Sequence, residues 1–118
     1  MGYYSFDKYT TSQGRCPSEE FIGSLARKNI HLHAKLQEMC MLLEEFGPII
    51  SRKNFPKSFK PQGANIWEIK LWTVRLLFFF KDNLVVLLHG LIKKQDRLPK
   101  GELEKAEQEM NDYLGRIK

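Results

Sequence analysis

Acidic residues are scarce in the middle of this chain. Residues 51–100 hold 11 Lys and Arg against three acids, Glu68, Asp82 and Asp96, a local net of +8, while the rest of the chain sums to −3 and the whole to +5. An excess so concentrated suits a polyanionic partner, a nucleic acid or an acidic protein segment; an ordinary solvated surface is the plainer alternative. Cysteine is scarce too. Cys16 and Cys40 have no C-x-x-C spacing, which excludes a disulfide framework and leaves buried fillers in a reduced, cytoplasmic protein. The opening MGYYSFDKYTTSQG lacks the apolar core of a secretory signal, and Phe6 stands where a myristoylation signal needs Ser or Thr. No clean membrane span exists either, because Arg75, Lys81, Asp82 and Asn83 break the apolar stretch from Val74 to Ile92.

What is present is an apolar fraction of 42% over 118 residues, enough for one globular domain, residues 1–118, with a real core. The chain is organised around Ile66 to Lys94, IWEIKLWTVRLLFFFKDNLVVLLHGLIKK. Three apolar runs rich in Ile, Val, Leu, Phe and Trp are separated there by Trp72-Thr73 and by Lys81-Asp82-Asn83. Their length and composition predict strands of an antiparallel sheet, with cations at its ends and on one face.

Tyr3 to Thr11 reads as a first or edge strand. Pro17-Ser18-Glu19-Glu20 reads as a helix start capped by Ser18, the helix running to about Arg27. Asn29 begins a second helix, in which Leu32, Leu36, Met39, Leu43 and Phe46 form one apolar stripe and Gly47-Pro48 the stop. His31 and His33, two apart, point to different faces and are not a metal pair; Met39-Cys40-Met41 reads as core filling. Pro99 to Leu114 is a last helix with the stripe Leu103, Ala106, Met110 and Leu114, its four glutamates on the other faces.

Ser51 to Gly63 has Arg52, Lys53, Lys57 and Lys60, two prolines, two phenylalanines and no acid. It reads as a loop that ends in the sheet. Its lysines and rings suit RNA, cations on phosphates and aromatics on unpaired bases; Phe55 and Phe59 plugging the core is an equal and compatible reading. If Trp72-Thr73 is a two-residue hairpin loop, Leu71 pairs with Val74 and Lys70 with Arg75. Two cations opposite each other repel, so an anion between them is expected, on the face away from the helices. Trp-Thr lacks the Gly or Asn such turns prefer, and a longer loop changes the register. His89 lies inside the almost unbroken apolar run Leu84–Ile92, a strand buried on both sides, where a hydrogen-bonded core histidine is the commoner role and catalysis the rarer one.

Four segments in order, NIWEIK (65–70), VRLLFFF (74–80), LLHGLIKK (87–94) and LPKGELEKAEQEM (98–110), resemble the phage-derived, HigB-like branch of the RelE/ParE toxin superfamily. That branch has an aromatic-Glu-Ile/Leu-Arg strand, an Arg followed by an apolar-aromatic strand, a Leu-His-Gly-aromatic-Lys-Lys strand, and a Pro before a helix with Glu and Ala. Lys70 stands where the family often has Arg, and Leu91 where it usually has an aromatic residue. The resemblance spans about residues 18–112. It implies an α+β fold of order β-α-α-β-β-β-α, a small antiparallel sheet with two N-terminal helices packed on one face and a C-terminal helix.

It also implies a cytoplasmic, metal-independent endoribonuclease that needs no cofactor and no small-molecule substrate. Such a toxin cuts mRNA on the ribosome and is silenced by a HigA-like antitoxin with a helix-turn-helix domain. Arg75 matches the family's phosphate-binding arginine and Lys70 is its expected neighbour. Lys57, Lys60, Arg52 and Lys53 are candidate RNA contacts. Lys93 and Lys94 match the family's Lys-Lys pair, for RNA, ribosome or antitoxin. For proton transfer the candidates are a lysine whose pKa nearby cations lower, and His89. Tyr113, on the last helix, matches no catalytic tyrosine. Two other classes are a toxin of this fold that inhibits a protein such as DNA gyrase, and a plain nucleic-acid-binding module.

Overall fold

A computed structural model describes residues 4–47, 58–63, 65–93 and 98–116. In chain order the elements are β1 (Ser5–Lys8), α1 (Pro17–Lys28), α2 (Ile30–Phe46), β2 (Phe59–Gly63), β3 (Ile66–Leu71), β4 (Val74–Lys81), β5 (Leu84–Ile92) and α3 (Lys100–Arg116). The α+β class and the helix placement are as expected. Two features differ. The basic stretch does end in the sheet, as the additional strand β2, and the sheet is mixed: its order is β1-β5-β4-β3-β2, with β1 parallel to β5 and the other neighbours antiparallel. A parallel neighbour needs a long crossover, which α1 and α2 help to supply.

The hairpin at Trp72-Thr73 has two loop residues, and Lys70 faces Arg75 across it. Trp72 takes a left-handed backbone, φ 55°, and Asp82 does the same in the second hairpin, φ 54°. Every second residue of a strand shares a face. Ile69, Leu71, Val74, Leu76, Phe78, Val85 and Leu87 therefore meet Leu25 of α1 and Leu36, Met39 and Leu43 of α2 in one core. Ile66, Leu77, Phe79, Val86 and Leu88 form a second core with Ala106, Met110 and Tyr113 of α3. Helices thus cover both faces, and the face that carries Lys70 and Arg75 is the one on which α3 packs, not a bare one.

Local details correct the cap and stripe expectations. At the start of α1 the cap position is Cys16, which makes no side-chain bond to the helix, and Pro17 supplies the preset first turn. Ser18 lies within that turn, buried, its hydroxyl 3.5 Å from the Cys16 sulfur. Asn29 does cap α2, its side chain accepting from the Leu32 N–H at 3.1 Å. Met39 is buried and burial pushes the Cys40 thiol up to about 11, but Met41 is exposed rather than core filling. On α3 the inward face includes Glu109 and Tyr113, so the glutamates do not all lie outside.

Candidate functional site

Strand parity gathers the chemistry onto the α3 face of β2–β5. Lys60 pairs with Glu68, Lys70 with Arg75 and Arg75 with Leu91, which puts these side chains in adjacent columns at one end of the sheet. Glu68 and Arg75 are each 1% exposed, with Arg75 Nε 3.0 Å from Glu68 Oε1. Gln62 donates to the other Glu68 oxygen at 2.7 Å. Arg75 Nη1 also donates to the carbonyls of Trp72 and, at 3.0 Å, Val74. The guanidinium therefore clamps the hairpin turn. The anion that a Lys70–Arg75 pair demands is supplied from within, by Glu68, and the open phosphate-sized gap inferred from the register is not there.

Around this buried carboxylate stand Arg75, Lys60, Lys93 and Lys70, each pulling its pKa down; burial outweighs them and pushes the Glu68 carboxyl above its usual range. Lys60, Lys70 and Lys93 are half-buried, with the Lys93 ammonium turned inside, and the Lys93 backbone N–H donates to the Thr73 carbonyl at 2.7 Å, fixing the end of β5 beside the hairpin. The arrangement is a negative centre in a positive collar. Its outward charge is cationic, which suits an approaching phosphate. Arg52, Lys53, Lys57 and Lys94 lie outside the described residues.

His89 belongs to a different cluster. The ladder shifts register between Leu77 and Phe78, which pair with His89 and Leu87. Leu88 is the extra residue of this β-bulge. Successive residues Leu88 and His89 consequently both face α3, and the histidine meets its helix. Its Nδ1 is 2.5 Å from Glu109 Oε1 and its Nε2 3.0 Å from Glu102 Oε1, with the ring 3% exposed. Both ring nitrogens are engaged, so His89 has none to offer a substrate; it fastens α3 to β5, and the catalytic expectation for it gives way to the hydrogen-bonded core role.

Sequence reasoning missed Glu68 as the centre of the collar, and Glu102 and Glu109 as the partners of His89. A signal existed for Glu109, because it lies three residues from Ala106 and beside Met110, inside the apolar stripe. Among the described residues no group of three or more His, Cys, Asp or Glu is arranged to hold a metal ion, and no helix is long and apolar enough to cross a membrane.

Fold and site together define a class: a small α+β protein with a five-stranded mixed sheet, helices on both faces and a lysine collar at one end. The chain belongs to the family of phage-derived Gp49-like proteins, whose family model matches residues 24–111. This is a family of RelE-like, toxin-like proteins, and the matched span contains the whole collar and the His89 trio. No curated protein matches the chain.

Proposed function

We propose that the chain is the toxin of a type II toxin–antitoxin pair, a cytoplasmic HigB-like endoribonuclease that cuts mRNA on the translating ribosome without a metal ion. A helix-turn-helix antitoxin would silence it. The observation that carries this reading is the collar of Lys60, Lys70 and Lys93 around the buried Glu68–Arg75 pair. In the reaction the 2′-oxygen bonds to the neighbouring phosphorus and the bond to the 5′-oxygen breaks. The 2′ proton leaves to a base, and the 5′-oxygen takes one up. Lys60 and Lys70 hold the phosphate and stabilise its added charge, with the Lys93 charge beneath them. Glu68 and Arg75 are positioning residues that hold the collar and the hairpin in place. The collar contains no histidine or tyrosine, so its contribution is charge and position, and a ribosome that aligns the messenger complements both.

One observation favours a second reading, a toxin of this fold that blocks a protein target such as DNA gyrase: both nitrogens of His89 are already taken. Induced expression in bacteria with mapping of RNA ends separates the two. Wild type arrests growth and produces new RNA ends, while Lys60→Ala with Lys70→Ala lowers cleavage at least tenfold, the loss of two charge-assisted phosphate contacts. Arrest without new ends supports the protein target. Neither arrest nor cutting leaves a nucleic-acid-binding module.

A further inference from the structure

The two hairpins of the sheet make an internal comparison. Both place their first loop residue in the left-handed region, Trp72 at φ 55° and Asp82 at φ 54°. Aspartate tolerates that region; a bulky aromatic residue there is an outlier that costs about 1 to 2 kcal/mol of backbone energy. The tryptophan side chain itself gains no packing in return, because it stands 85% exposed, the most exposed large apolar residue among those described. The turn is also rigidly held. Arg75 Nη1 donates to the Trp72 carbonyl, and Lys93 N donates to the Thr73 carbonyl at 2.7 Å. A costly conformation, an indole in water and a clamped backbone together describe a side chain presented to something outside the chain.

The charges around it say what. Lys70 lies two residues before Trp72, about 7 Å along the strand, and Lys93 adjoins Thr73. Between Ile66 and Lys93 the only acids are Glu68, buried under the collar, and Asp82, in the other hairpin at the opposite end of the sheet. An apolar protein partner has no need of this cationic frame, whereas an unpaired nucleotide uses both parts: its base covers a ring and its phosphate meets a lysine. We propose that Trp72 is a stacking platform for an unpaired RNA base, and that it sets which nucleotide is held when the adjacent phosphate meets Lys70. This rests on the reading of the collar as an RNA site and adds the base-side contact which that reading lacks.

The test uses the full chain carrying Trp67→Phe, so that Trp72 is its only tryptophan, and a short unstructured oligoribonucleotide with 2′-O-methyl groups that prevent cleavage. Adding the oligonucleotide quenches Trp72 emission. Trp72→Gly, which suits the left-handed turn and so keeps the fold, weakens binding about tenfold, and Trp72→Phe weakens it less. The slope of log affinity against log salt stays the same in Trp72→Gly and falls by about 0.7 in Lys70→Ala, because only the latter loses a phosphate contact on a single strand. Unchanged affinity in Trp72→Gly, or binding without quenching, overturns the stacking role while the RNA reading stands. No binding of the oligonucleotide by the unsubstituted chain overturns the stacking role, while the mapping of RNA ends in induced cells decides the RNA reading separately.

Discussion

Glu68 shows how one residue organises a surface it does not touch. Fully buried, it draws Arg75 to itself and gathers three lysines around it. Removing either partner of a buried pair leaves the other charge stranded, so Arg75→Ala is expected to cost about 3 to 5 kcal/mol in urea denaturation. It therefore tests folding before it tests chemistry, and Lys70 is the better probe of activity. The pH dependence has a definite sign. Burial raises the Glu68 pKa above its ordinary value of 4.5, so the folded chain binds that proton more tightly than the unfolded one. The stability Glu68 contributes is complete below about pH 4.5 and declines as pH rises through the raised folded value. Glu68→Gln removes that decline, seen as a flatter stability profile across the same window. An unchanged profile places the titration elsewhere.

At the scale of the element, the hairpins and the ends of α2 were legible in the sequence, and the cap of α1 and shifts of phase were not. The pairing of Lys70 with Arg75 followed from a two-residue gap between apolar runs, even though Trp-Thr is poor turn chemistry, because the runs on either side had to keep one apolar face inward. Asn29 announced α2 by residue type alone. The bulge at Leu88 left no mark, since in an all-apolar run either parity buries well; the partners of His89 were hidden with it. Strand β2 was obscured by Pro61, and β1's parallel partner by its distance along the chain. Glycine marks another close approach. A Cβ on Gly90 would lie 2.2 Å from Phe21 Cδ2, so α1 rests on β5 through that gap. Gly90→Ala is expected to lower stability by about 1 to 3 kcal/mol in thermal or urea unfolding, and Gly90→Ala with Phe21→Leu to recover part of the loss.

For the whole molecule, the decisive connection runs between the beginning and the end of the fold. Tyr113 donates to Asp7 at 2.5 Å, Tyr9 donates to Asp112 at 2.7 Å and Arg116 donates to the Thr10 carbonyl at 2.5 Å, spanning 103 to 106 residues of chain. Burial first, then the bond to Asp7, pushes the Tyr113 phenol up to about 12. Its contribution to stability is present below its ordinary value of 10 and is lost as pH rises through 12. Tyr113→Phe is expected to cost about 1 kcal/mol at neutral pH. In an ultraviolet titration it removes the tyrosine that ionises near 12; if all tyrosines still titrate as before, the clasp is not closed in solution.

The parallel edge strand carries a consequence for how the protein comes into being. β1 leaves the ribosome early, yet its pairing partner β5 and the helix that clasps it are made near the other end of the described chain. Non-local pairings of this kind are slow, because loop closure precedes any contact that rewards it. During synthesis the first strand lacks its ladder partner, and the outer edge of β5 remains bare until it arrives. A nascent chain stopped before α3 is thus expected to be cut by protease within residues 4–16, while the released chain resists: the strand made first is the last to find its place.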